Sequence, residues 1–139
     1  MYNDVVREMS DRGGRILDDI DFIQDKVVRA YAVYLIIKGE TERALDILSR
    51  YYGIVVPKIK IGLPKRHSKA LGCYDQSRET IYLRSSREYR SPYIVLHEFY
   101  HHLRGTKLEY PGSEKHADKY ALESIRYFKE LASLKNLDT

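Results

Sequence analysis

Two histidines stand four residues apart in segment 97–101, whose sequence His-Glu-Phe-Tyr-His has the form H-E-x-x-H. On an α-helix, residues four apart lie on one face, so His97 and His101 can direct their imidazoles toward a common point. Imidazole nitrogens are common zinc ligands. The spacing therefore predicts a zinc site on a helix, against the alternative that two surface or core histidines share this spacing by coincidence.

A third ligand is expected from another element, because catalytic zinc typically takes three protein ligands and keeps a fourth position for water. Glu114 is our choice, since segment 105–112 contains two glycines and a proline that allow the chain to reverse after the histidines. His116 is the main competitor for this place. Glu109 and Asp118 are weaker alternatives.

Glu98 follows the first histidine and is predicted to stand beside the metal without binding it, where a carboxylate can take a proton from zinc-bound water. Peptide hydrolysis is the reaction that such a set of groups serves best. Asp118 lies four residues after Glu114, on the same face of a predicted helix, and can hydrogen-bond the outer nitrogen of a ligand histidine. The alternative for Asp118 is a solvated surface acid.

The other histidines have weaker claims to the site. His102 is expected to face solvent or to pack against the protein, and His67 lies in a basic stretch with no evident partner. For the group that stabilises a tetrahedral oxyanion, Tyr110, Tyr120 and His116 are equal candidates.

Helices are predicted at the start of the chain. Apolar residues recur at mostly helical spacing over 16–37, with Gly39 placed to end the helix, and again over 41–52, with Gly53 as the terminator.

β-Branched residues then predict strands at 54–61, 71–74 and 80–84. The first strand contains Pro57 and is expected at a sheet edge, and the polar segment 75–78 suits a hairpin between the other two.

Two further helices carry the polar residues. Ser91 followed by Pro92 predicts a helix over 92–104 that contains the histidine motif and is closed by Gly105, and a last helix is expected to begin near Ser113. The predicted fold class is α+β: N-terminal helices, a small, mainly antiparallel three-stranded sheet, a zincin-like active helix and a C-terminal helix. We expect one metallopeptidase-like domain over 1–139.

The composition is that of an ordinary globular domain. The 139 residues include one cysteine, Cys73, which can form no internal disulfide and is expected to be a small buried hydrophobic residue. Segment 1–5 lacks the features of a signal peptide, and no apolar stretch is long enough to span a bilayer, so we expect a cytoplasmic protein without a membrane partner. The net charge of +4 and the basic residues of segment 58–69 allow nucleic acid as a partner, with a solvated face as the alternative.

Residues 96–103 (LHEFYHHL) and 114–121 (EKHADKYA) resemble the ImmA/IrrE-like metallopeptidases, in which H-E-x-x-H-x-L is followed by E-x-x-A-N/D-x-F/Y-A. Residues 72–74 and 81–83 are similar to the two strands that precede the active helix in that family. The resemblance covers about residues 40–130, preceded by an N-terminal helical region over 1–39. The chain departs from the family pattern at Phe99 and Tyr100, because a small residue, often glycine, usually precedes the second histidine.

The resemblance implies a compact gluzincin-like fold, with His97, His101 and Glu114 as ligands and Glu98 as base. It also implies a protein substrate, since family members include proteases that cut repressor proteins. The longer motif H-E-x-x-H-x-x-G-x-x-H of another zinc peptidase class is absent. The SprT-like DNA-associated proteases are a nearer alternative, but the spacing after Glu114 fits them less well.

Two functions follow as hypotheses. The first is a zinc-dependent peptidase that hydrolyses peptide bonds of an intracellular protein partner, such as a regulator. The alternative is a zinc-containing binding or regulatory module, for nucleic acid or a protein, with weak, latent or no peptidase activity. In the latent form, the N-terminal helix or the C-terminal tail would lie across the cleft.

Overall fold

The computed structural model describes residues 14–67 and 69–137, so the signal-peptide prediction for 1–5 lies outside the described residues. The elements are, in order, α1 (Gly14–Ile37), α2 (Thr41–Tyr52), β1 (Lys58–Ile61), a short 3-10 helix (Lys65–His67), β2 (Gly72–Asp75), β3 (Thr80–Leu83), α3 (Ser86–Tyr89), α4 (Pro92–Thr106) and α5 (Glu114–Leu137). This order confirms the predicted α+β class. In the described part of the chain, no helix is both long enough and apolar enough to cross a membrane.

The first two helices end where the sequence predicts. Gly39 and Gly53 both take positive φ angles, 83° and 71°, in the left-handed region that glycine adopts without a steric penalty. After α2, the amide of Ile54 donates to the carbonyl of Ser49 at 2.9 Å, which satisfies a carbonyl that the end of the helix leaves free.

The three strands form one mixed sheet in the order β1-β3-β2. β2 and β3 pair antiparallel, with Tyr74 opposite Ile81, whereas β1 and β3 pair parallel, with Ile59 opposite Ile81. The sheet is therefore mixed and not mainly antiparallel as predicted. The chain between β1 and β2 is long enough to bring β1 to the far side of β3. The predicted edge position of β1 is confirmed, and the strand begins just after Pro57.

The helix that carries the histidine motif is capped as predicted. The side chain of Ser91 accepts a hydrogen bond from the amide of Ile94, and Pro92 is the first helical residue. The helix continues to Thr106, so Gly105 lies within its last turn and does not end it. The predicted cap of α5 is confirmed, because Ser113 Oγ accepts a hydrogen bond from the amide of His116 at 3.1 Å. The short helix α3 was not predicted.

One face of α4 is fixed by the hydrophobic core. Val95, Leu96, Phe99 and Leu103 are fully buried, and α4 packs against α5, α1, β2 and β3. Residues of α1, α2, β3, α4 and α5 belong to the same core cluster. Because these apolar side chains determine how α4 rotates about its axis, the polar residues of the motif are held on its other face.

Candidate metal centre

His97, Glu98 and His101 project from α4 into one cavity. One potential ligand atom from each lies within 4.8 Å of the others, so the three side chains can surround a single cation. They line a cavity of about 600 Å³ that the rest of α4, strand β2 and the start of α5 complete. The structure therefore contains a candidate metal site on the predicted helix.

Glu114, in the first turn of α5, lies against both histidines. Its Oε2 is 2.8 Å from Nε2 of His97, and its Oε1 is 2.8 Å from Nε2 of His101. Zinc bonds of about 2.0–2.2 Å in a tetrahedral site separate ligand atoms by roughly 3.3 Å, so a shift of about half an ångström would admit the ion. The side chain of Glu114 is 77% exposed and can make that shift.

Asp118 contacts the opposite side of the same imidazole. Its Oδ1 lies 2.8 Å from Nδ1 of His97, and the hydroxyl of Tyr93 donates a hydrogen bond to the same oxygen. The hydrogen bond from Tyr93, reinforced by His97, holds the pKa of Asp118 below its usual range. Asp118 is therefore ionised at neutral pH, so its carboxylate accepts hydrogen bonds and cannot donate them.

This contact assigns the tautomer of His97. Because Nδ1 must donate to the carboxylate of Asp118, the lone pair of a neutral His97 lies on Nε2, facing Glu114. Two lone pairs repel at 2.8 Å, so the contact between His97 and Glu114 requires a proton or a metal cation between them. Burial lowers the pKa of His101, which leaves its imidazole neutral and able to bind a metal at pH 7.

Glu98 is buried beside the histidines, with only 8% of its surface exposed. Burial raises its pKa from 4.5 to about 7; His97 opposes the shift and the carboxylate of Glu114 adds to it. A carboxyl group with a pKa near neutrality can both accept and release a proton at pH 7, which is what general acid–base chemistry requires.

Comparison with protein-family models, with curated proteins and with solved structures finds no match for this chain. The resemblance to the ImmA/IrrE-like metallopeptidases therefore stays a prediction that rests on the motif residues. The structure itself contains a candidate metal group, formed by His97, Glu98 and His101, in an α+β fold.

Tyr100, the bulky residue inside the motif, points away from the metal cavity. Its side chain is buried, and its hydroxyl donates to the carbonyl of Pro111 at 2.5 Å. This hydrogen bond ties the connection between α4 and α5 to the motif helix. A large residue is thus accommodated before His101 without filling the cavity.

The remaining histidines have structural surroundings of their own. His102 is fully buried, with Nδ1 2.7 Å from the hydroxyl of Tyr74 and Nε2 2.7 Å from the carbonyl of Val55. Of the two predictions for His102, packing against the protein is confirmed and exposure to solvent is not. Nδ1 of His116 lies 2.5 Å from Oγ of Ser113 at the start of α5, away from the metal group.

The three candidates for oxyanion stabilisation surround a different cavity. Tyr110, Tyr120 and His116 line this second cavity, which also borders α1, and the hydroxyl of Tyr120 lies 2.9 Å from that of Tyr52. Within the described residues, α1 contributes no side chain to the lining of the metal cavity.

Two residues near the site were not predicted from the sequence: Tyr93, which donates to Asp118, and Arg104. Tyr93 and Arg104 lie four residues before His97 and three residues after His101, so helical spacing alone could have placed both on the motif face. Arg104 lines the metal cavity, and its buried Nε has no hydrogen-bond partner among the described residues. A Cβ atom at Gly112 would overlap that Nε, so a larger residue there would displace the side chain of Arg104.

Proposed function

We propose that this protein is a zinc-dependent peptidase, with His97, His101 and Glu114 as ligands. The observation that carries the proposal is the contact of the two Glu114 oxygens with both imidazoles, each at 2.8 Å. Two imidazole nitrogens and one carboxylate oxygen form a ligand set that suits catalytic zinc and leaves a position open.

Zinc, when bound, supplies a Lewis acid that lowers the pKa of a water molecule to about 7 and polarises a carbonyl oxygen. Glu98 supplies the base. Its raised pKa allows its carboxylate to take a proton from water near neutral pH and to return that proton to a leaving amine. Asp118 holds the ring of His97 in place and maintains the tautomer that ligation needs.

The position of the cavity beside β2 supports a peptide as the substrate. Gly72, Cys73 and Tyr74 of β2 line it, and among the described strands β2 is an edge strand that pairs with β3 alone. The free edge of a strand offers backbone donors and acceptors that can bind an extended peptide by adding a strand. We therefore propose a protein or peptide substrate, such as a regulator protein inside the cell.

The test compares Glu98→Gln with the wild-type protein. Glutamine keeps the size of the side chain but cannot act as a base, so cleavage of a fluorogenic peptide library should fall by about 100-fold or more while zinc content stays near one per chain. Glu42→Gln on α2 is the matched control and should retain both. Undiminished cleavage by Glu98→Gln would contradict the mechanism, and loss of zinc would show that Glu98 is a ligand.

A binding module is the second candidate, favoured by the basic edge of the sheet. Lys58 and Lys60 are exposed on β1 and line a cavity of about 510 Å³ together with Arg78. Such a surface can contact nucleic-acid phosphates. This candidate predicts binding that weakens steeply with salt and survives Glu98→Gln. Undetectable binding to DNA and RNA at low salt would contradict it.

A further inference from the structure

The outer face of α1 carries a stripe of large apolar side chains that are exposed. They are between 39% and 57% exposed and comprise Ile20, Ile23, Val27, Tyr31, Tyr34 and Ile37. Exposed apolar residues are ordinary when scattered, but a contiguous set along one helix marks an interaction surface.

A groove between α1 and α5 continues this apolar stripe. It has a volume of about 450 Å³, Ala30 lies 3% exposed at its floor, and Phe128, Leu131 and Ala132 of α5 form its other wall. Leu134, also exposed, extends the apolar surface along α5. The apolar surface is therefore two helices wide.

The spacing within α1 is that of a coiled-coil seam. Positions 20, 23, 27, 30, 34 and 37 alternate steps of three and four, and all six are apolar. The set is also self-complementary when two copies lie antiparallel. Ile20 then faces position 37 of the second copy, Ile23 faces position 34, and Val27 faces the small Ala30.

We propose that two copies of this chain pair through this face, with their α1 helices antiparallel about a twofold axis. A second copy is the occupant that satisfies the symmetry of these six seam positions, because an isologous interface requires one surface to be complementary to itself.

The size of the face suits a dimer. α1 has 24 residues, which makes it about 36 Å long at a rise of 1.5 Å per residue. With an interaxial distance of about 9 Å, a surface two helices wide covers roughly 650 Å² per copy. That approaches the roughly 800 Å² per partner of a standard stable interface.

Charge favours the antiparallel direction. Exposed Asp19 lies near one end of the stripe and exposed Lys38 lies at the other, with its Nζ 5.2 Å from the ring centroid of Tyr34. Antiparallel pairing brings Asp19 of each copy near Lys38 of the other, whereas parallel pairing would bring like charges together.

The test measures the molar mass of the full chain by light scattering and sedimentation over the micromolar range. The expected mass is twice the 16.4 kDa of one chain. Val27→Glu should raise the dimer dissociation constant about 100-fold or more, because it buries a charge at the seam. Leu122→Glu is the control, since Leu122 is 56% exposed on α5 outside the groove, and it should leave the dimer intact.

A charge exchange tests the direction without disturbing the apolar seam. Asp19→Lys and Lys38→Glu should each weaken the dimer several-fold, and the double variant should restore it, with circular dichroism checking that each protein folds. A dissociation constant that Val27→Glu leaves unchanged would overturn the proposal. Equal dissociation constants for the single and double charge variants would also overturn it. So would a monomer at every concentration.

Discussion

Nδ1 of His97 lies 2.8 Å from Oδ1 of Asp118, although 21 residues separate them in the chain. The first two turns of α5 thus hold both sides of one imidazole, with Glu114 at Nε2 and Asp118 at Nδ1. Because the two carboxylates stand four residues apart on one helix, a single packing contact between α4 and α5 positions them both.

Asp118→Ala is expected to lower the affinity for zinc by about 10- to 100-fold, because the ring of His97 loses the partner that fixes its orientation and tautomer. Competition with a zinc-binding dye measures this change. Asp46→Ala on α2, which removes an acid that pairs with Arg50, serves as the control. Equal zinc affinity in Asp118→Ala and the wild-type protein would show that Asp118 is only a surface acid.

Glu114→Ala is expected to weaken zinc binding further than Asp118→Ala, beyond the roughly 100-fold that marks the loss of an outer partner. The reason is that it removes the group that contacts both imidazoles. Glu109→Ala, in the connection before α5, is the control and should bind zinc normally. If Glu114→Ala kept the affinity of the wild type, the ligand set would have to be completed by Glu98.

The pKa of Glu98 predicts how the metal-free protein responds to pH. Since folding raises this pKa from 4.5 to about 7, the folded protein keeps a proton that the unfolded chain loses as pH rises between these values. The stability that Glu98 contributes is thus fully present below about pH 4.5 and lost above about pH 7, a decrease of roughly 3 kcal/mol at most.

Urea unfolding of metal-free wild-type protein and Glu98→Gln at several pH values measures the stability that Glu98 contributes. The wild type should lose more stability than the variant between mildly acidic and mildly basic pH, because glutamine does not titrate. Parallel pH profiles for the two proteins would contradict the raised pKa.

Arg29→Met is expected to destabilise the protein by about 3 kcal/mol. Arg29 is buried, donates to Ser124 Oγ and to the carbonyl of Tyr120, both at 2.8 Å, and pairs with Asp25 at 3.0 Å. Burial alone lowers its pKa, but Tyr120, Tyr52 and Asp25 raise it overall, which keeps the guanidinium charged.

A matched control for Arg29 exists on α2. Arg50 pairs with Asp46 at the same helical spacing, but Arg50 is largely exposed, so Arg50→Met should change the free energy of unfolding by less than about 1 kcal/mol. Thermal and urea unfolding measure both variants. Similar losses in the two proteins would contradict the role assigned to the buried contacts of Arg29.

Local sequence determined most of the helical structure. The apolar spacing of α1 and α2, the cap at Ser91 with Pro92, and the cap at Ser113 are signals that act within one or two turns, so they could be recognised without knowing the fold. The common face of His97 and His101 follows from the helix alone.

Pairing between distant segments could not be derived in this way. Strand β1 lies parallel to β3 because of the path that the chain takes between β1 and β2, and strand propensity carries no information about that path. The continuation of α4 beyond Gly105 likewise depends on surrounding structure, since Leu103, two residues earlier, is held in the core.

The candidate site likewise depends partly on local sequence and partly on the packing of distant segments. The sequence by itself determined that two imidazoles and Glu98 share one helix, because helical geometry fixes those positions. Only the tertiary structure decided that Glu114, and not His116, meets them and that Asp118 contacts His97 from behind. The packing of α5 on α4 makes that choice, and it depends on buried contacts between residues far apart in the chain.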